Sequence, residues 1–217
     1  MLVCHIITSV NVNCERGGDR MNQMQQILEI AKQNNGIVTA SMVGEAGLSR
    51  GVLKYLADLR KLEKTARGIY ILPNAWEDEF VSLQERFKRG IFSLETALFL
   101  WNLTDRTPAK YHMTFPGTYN LSKPKAEGIL CSGAKEPYYS LGITKTQTSG
   151  GNTVAVYDAE RTLCDVLRSR NRVDVGIVTD AFKRYVAQKE KNIQLLSQYA
   201  KMLKVEEKLR SYLEILL

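Results

Sequence analysis

Histidine is almost absent from this chain: His5 and His112 are the two among 217 residues, so imidazole acid–base or metal chemistry would rest on one residue inside an apparent strand. His112 reads as structural. The four cysteines, Cys4, Cys14, Cys131 and Cys164, lie apart with no CxxC and no histidine partner. That spacing argues against a zinc site and a disulfide framework, and points to a reducing compartment, the cytoplasm. Cys131 and Cys164 have no recognisable base nearby, and Cys164 sits among apolar helix positions that suit a buried thiol. No stretch approaches the about 20 uninterrupted apolar residues of a membrane span. Nor is there a phosphate loop, since Thr148 to Asn152 lacks the lysine and the following helix that such a loop needs.

What is present is an excess of cations. Thirty Lys and Arg against twenty-three Asp and Glu give a formal charge of +7, which favours a polyanionic partner. A hydrophobic share of 44% fits an ordinary globular chain of one large or two small domains.

The most informative stretch is Gly36 to Leu72, which the spacing predicts to be a winged helix-turn-helix. Ile27, Leu28, Ile30 and Ala31 recur at helical spacing from Asn22 until Asn34-Asn35-Gly36 stops the pattern. Thr39 can cap a short helix over Ala40 to Ala46, Gly47 supplies a turn, and Ser49 can cap a third helix. In that third helix Val52, Leu53, Leu56 and Leu59 form an apolar stripe. Arg50, Lys54 and Lys61 fall roughly opposite, flanked by Gly51 and Asp58. A recognition helix presents its first residues to base edges, so Arg50, Gly51, Lys54 and Tyr55 are the candidates to read DNA. Glu63-Lys64-Thr65 and Ile69-Tyr70-Ile71 then read as a hairpin around Ala66-Arg67-Gly68, a wing that offers Lys64 and Arg67 to phosphate or the minor groove. Helix-turn-helix units also serve as protein-interaction modules, and a basic helix face can be plain solvated surface. The wing arginine and the basic start of the third helix favour DNA.

The first twenty residues sit apart from this pattern. They lack the basic start, apolar run and small-residue cleavage site of a signal peptide. Arg16-Gly17-Gly18 can be encoded by a purine-rich stretch suited to a ribosome-binding site just before Met21, so residues 1–20 are expected to be a leader and Met21 the natural start. The remaining divisions are a winged helix-turn-helix over 21–72, a linker helix within 73–90, and a C-terminal domain over 91–217. In that domain Ser93 caps a helix ended by Asn102. Lys110 to Phe115, Ser140 to Thr148 and Thr153 to Tyr157 read as a small antiparallel sheet. Three or four amphipathic helices follow Ala159. The fold class expected is therefore α+β. The polar faces of the late helices are basic, with Arg161, Arg168, Arg170, Arg172, Lys183 and Arg184 forming a candidate second surface, continued by Lys189, Lys191, Lys201, Lys204, Lys208 and Arg210, although any one of these residues alone reads better as solvated helical face. Asp158-Ala159-Glu160-Arg161 carries paired carboxylates that could hold a metal. Asp158 as the cap of a helix, with Glu160 near its positive end, is the favoured reading.

The segments LTDRTPAKYHMTFPGTYN, VYDAERTLCDVLRSRNRVD and AFKRYVAQKEKN, with the downstream LLSQYAKMLKVEEKLRSYLEILL, together resemble the AbiEi antitoxins from about Met21 to the C-terminus. The resemblance implies a bacterial antitoxin and autorepressor of a type IV, abortive-infection, phage-resistance operon. Its functional partner would be the nucleotidyltransferase-like toxin AbiEii, countered without a stable complex. It further implies binding to inverted repeats in the chain's own promoter through Ser49, Arg50, Lys54, Tyr55, Lys64 and Arg67. Arg161, Arg168, Arg170 and Arg172 match the basic family segment. The expected protein is a monomer in solution with two copies on the operator, and no catalytic residue, cofactor or metal is expected. Two alternatives stay open: a metal-dependent nuclease or nucleotide-modifying enzyme using Asp158 and Glu160, and an antitoxin that sequesters its toxin directly.

Overall fold

The computed structural model describes residues 8–216, with side chains described over 20–214. It is a mixed α+β chain with a three-stranded and a five-stranded sheet, in two compact units. The first runs to Arg86 and includes Gly150–Asn152; the second comprises Phe87–Ser149 and Thr153–Leu217. Residues 1–7 of the expected leader lie outside the described residues, and from Thr8 its remainder is helical.

The first unit opens with α1 (Thr8–Gln33), which buries Met24, Ile27 and Ala31 in the unit's core. Asn35 and Gly36 end it in the left-handed region, at φ 52° and 88°. Gly36 is required there, because a Cβ would come within 2.5 Å of the Ala75 Cβ. Strand β1 (Ile37–Thr39) follows. Thr39 then caps α2 (Ala40–Glu45), its Oγ1 accepting from the Met42 amide at 3.2 Å. Gly47, at φ 71°, turns the chain into α3 (Gly51–Asp58), which buries Val52, Leu53 and Leu56. Leu59, expected on the same apolar stripe, falls after the helix and is 45% exposed. The hairpin of β2 (Glu63–Ala66) and β3 (Ile69–Ile71) completes a sheet of order β1-β3-β2, with a bulge between Lys64 and Ala66. The segment read as a linker forms α4 (Glu79–Arg86), which buries Phe80, Val81 and Leu83 and belongs to the first unit.

The second unit is built on β4 (Ile91–Phe92), β5 (His112–Pro116), β6 (Leu130–Ala134), β7 (Ile143–Gln147) and β8 (Thr153–Tyr157). Their order is β6-β5-β4-β8-β7. The sheet is mixed, which corrects the antiparallel expectation: β4 pairs with β8, and β5 with β6, in parallel. Between these strands lie α5 (Leu94–Leu100) and the short α6 (Ser122–Ala126). Ser93 precedes α5 without capping it, because its Oγ instead accepts a hydrogen bond from Thr114 at 3.0 Å. The helices α7 (Ala159–Val166), α8 (Val175–Ala187), α9 (Ile193–Leu203) and α10 (Glu206–Leu216) close the chain. Their apolar stripes meet around Leu163, Phe182, Tyr185, Leu196 and Leu209, a core separate from that of the first unit.

Candidate nucleic-acid interface

Burial of Val52, Leu53 and Leu56 turns the other side of α3 outward. Gly51, Lys54, Tyr55 and Asp58 are exposed at i, i+3, i+4 and i+7, which is one helix face. Lys54 makes no ion pair among the described residues. Tyr55, 37% exposed, is held by the Arg20 guanidinium, which lies 4.1 Å from its ring centroid. Gln23, also on α1, accepts the Ser49 amide at 3.3 Å. The start of α3 is thus braced by α1. Ser49 is not the side-chain cap expected of it: Arg50 occupies the N-cap position in helical geometry, with no side-chain cap bond. Arg50 is exposed, but its guanidinium folds back over Gly44 of α2, where a Cβ would come within 2.7 Å of it. On the wing, Lys64 and Arg67 are exposed, with Arg67 at the tip beside Gly68 at φ 78°. The tip is fixed, because the Ala40 amide donates to the Gly68 carbonyl at 2.8 Å.

The basic residues of the second unit divide sharply. Arg161 belongs to no exposed surface: it is 2% exposed, its Nε bonds Asp165 at 2.9 Å, and its Nη1 reaches the carbonyls of Tyr138 and Leu141 at 2.9 and 3.1 Å. It also lies over the Tyr157 ring at 4.8 Å. Gly142, at φ 74°, makes room for it, since a Cβ there would come within 2.9 Å of the Arg161 Cβ. Arg168 shares Asp165 at 3.4 Å. Arg184 is engaged by Asp180 and Asp105, each at 3.1 Å, while its neighbour Lys183 is exposed. Arg170 and Arg172, at and after the 3₁₀ turn Ser169–Asn171, are exposed. Partial burial and neighbouring Arg168 hold the Arg170 guanidinium below its ordinary value.

Arg168 and Arg170 border a cleft of about 530 Å³ between that turn and the α9–α10 corner. Arg168, Arg170, Lys201, Lys204 and Lys208 line it against two carboxylates, Glu206 and Glu207. Lys208 is positioned by bonds from its Nζ to the Leu167 carbonyl, 3.0 Å, and to Ser169 Oγ, 2.6 Å. An anion is the ligand such a cleft favours. Lys183 and Arg184 do not line it.

The paired carboxylates are occupied in holding the fold. Asp158 caps α7 through the Arg161 amide at 2.6 Å and accepts the Tyr199 hydroxyl at 3.0 Å. Burial raises its carboxyl above the ordinary aspartate value. Glu160 is buried and accepts from the Tyr185 hydroxyl at 2.7 Å and the Asn192 amide at 3.2 Å. Among the described residues no group of three or more His, Cys, Asp and Glu could hold a metal ion. The Cys164 thiol is buried and pushed up to about 12, chiefly by burial. No helix among the described residues is long and apolar enough to cross a membrane.

No family model and no curated protein matches the sequence. In fold the chain is similar to the crystal structure of RV2827C protein from Mycobacterium tuberculosis, with a TM-score of 0.50 and 14% identity, covering 81% of this chain and 70% of that one. At that identity the likeness concerns architecture alone.

Arg20, which lies over Tyr55 on this candidate face, is a residue that the sequence pattern placed in the leader and not in the interface. A signal was there, because continuing the α1 stripe back from Met24 would have kept Arg20 on the same helix.

Proposed function

We propose that the chain is a DNA-binding autorepressor and the antitoxin of a type IV, abortive-infection operon, as the AbiEi-like segments imply. The observation that carries the DNA reading is the exposed face of α3, with Lys54 and Tyr55 turned outward and the anchored wing presenting Lys64 and Arg67. In this reading α3 enters the major groove, Lys54 and Tyr55 meet base edges, and Lys64 and Arg67 grip the backbone. Arg50 joins them by swinging off Gly44. The cations around the second-unit cleft, with Arg172, add phosphate contacts, and two monomers on an inverted repeat occlude the promoter. The protein acts in the cytoplasm and counters the AbiEii-type toxin without a lasting complex.

A reporter fused to the chain's own upstream region, read together with growth of cells expressing the neighbouring toxin, tests both halves. Expected are repression of the reporter, rescue of growth, and no copurification of the two proteins. An unrepressed reporter removes the repressor reading. Failure to rescue removes the antitoxin reading, and copurification through high salt replaces indirect antagonism by sequestration.

A further inference from the structure

A second cleft of the second unit, about 410 Å³, lies along β6, one of the two edge strands of the sheet. Its charged lining is one-sided: Lys110, Lys125 and Arg170 contribute cations and no carboxylate lines it. His112 also lines it, paired in register with Leu130. The His112 Nδ1 is buried and has no hydrogen-bond partner among the described residues, although buried polar atoms are as a rule satisfied. Beside these groups stand Ile129 and Leu130, and Leu130 is 40% exposed. Cations with no carboxylate among them, an unsatisfied imidazole nitrogen and apolar lining residues together describe a ligand with an anionic head and a partly apolar body, in a volume typical of small-molecule sites.

We propose that this cleft binds a phosphate monoester of a small, partly apolar molecule, its phosphate held by Lys110, Lys125 and Arg170 and bonded by His112, its body against Ile129 and Leu130. Three cations suit a dianionic head better than a single carboxylate. Burial holds the imidazole below its ordinary value while Glu95 pulls the other way. A phosphate arriving beside it, with Lys110 and Lys125 opposing, would present the acceptor that a protonated Nδ1 needs. Arg170 also borders the larger cleft, but Lys110 and Lys125 do not. The two lysines therefore separate this site from the surface assigned to DNA.

Calorimetric titration of the full chain, without DNA, with phenyl phosphate, inorganic phosphate and benzoate tests the proposal. Phenyl phosphate is expected to bind saturably and about tenfold more tightly than inorganic phosphate, through burial of its ring, with benzoate weaker than either. Lys110→Ala and Lys125→Ala, both exposed positions, should each lower affinity about threefold to fivefold with an unchanged melting temperature. Phenyl phosphate should move the His112 imidazole nitrogen resonances, and Lys201→Ala and Lys204→Ala should leave its affinity unaltered. No saturation by about 10 mM phenyl phosphate overturns the proposal. So does binding that survives both Lys110→Ala and Lys125→Ala, or that is lost in Lys201→Ala or Lys204→Ala.

Discussion

Arg161, Arg168 and Arg184 of the second unit and the cations of α3 and the wing look alike in sequence and behave differently in the fold. On α3 and the wing, Lys54, Lys64 and Arg67 stand exposed, and none makes an ion pair among the described residues. On α7, Arg161 is buried against Asp165, Arg168 just beyond it shares that carboxylate, and on α8 Arg184 is divided between Asp180 and Asp105. Positive charge in a sequence therefore does not measure positive charge at a surface. What decides is whether a carboxylate lies within reach and whether the helix face carrying the cation is buried.

The sharpest way to break this contrast is Arg161→Ala. Removing the cation leaves Asp165 buried and two carbonyls unpaired, and should cost about 3–5 kcal/mol of stability, read by urea unfolding. A small loss would mean that Arg161 is replaceable surface charge. Next comes Lys54→Ala, expected to weaken binding to the chain's own upstream DNA by about 1–3 kcal/mol, fivefold or more, with an unchanged melting temperature. Arg67→Ala provides the matched contrast: a milder loss, equal on specific and scrambled DNA, with the salt slope reduced by about one. Arg20→Ala removes the cation over Tyr55 and should cost about 0.5–1 kcal/mol of DNA affinity. An unaltered affinity there would dissociate α1 from the reading face.

The smallest expected effect concerns pH. The folded His112 lies below its ordinary value of 6.5 because burial disfavours the charged ring. Its neutral form therefore supports the fold fully above 6.5, and the support is lost as pH falls below that and through the lower folded value. Urea unfolding at pH about 7.5 and about 5.5 should show a smaller difference in His112→Gln than in the parent. An identical difference would show that His112 does not set it.

Local chemistry made much of the first unit legible. Thr39 caps α2, Gly47 turns the chain, and Gly68 closes a wing whose strands fall close to where their alternation placed them. Strand β8 and the Asp158 cap were legible for the same reason. Ser49 was not, because α1 supplies Gln23 to its amide and makes a side-chain cap unnecessary. The parallel pairings escaped because β4 is two residues long and β6, LCSGA, has no β-branched residue, so neither leaves a periodic trace. The burial of Arg161 was half-visible: Asp165 follows at i+4, but its two carbonyl partners come from Tyr138 and Leu141, more than a dozen residues upstream.

The most direct test of the account is competition between the chain's own upstream repeats and a scrambled duplex for the purified protein, followed from 50 to 200 mM salt. If α3 reads bases while about six to ten phosphates are neutralised, the upstream DNA should win by about 10³ or more, and its affinity should fall by roughly 10³ to 10⁵ across that range. Equal affinity for the two duplexes, or an affinity indifferent to salt, would contradict it.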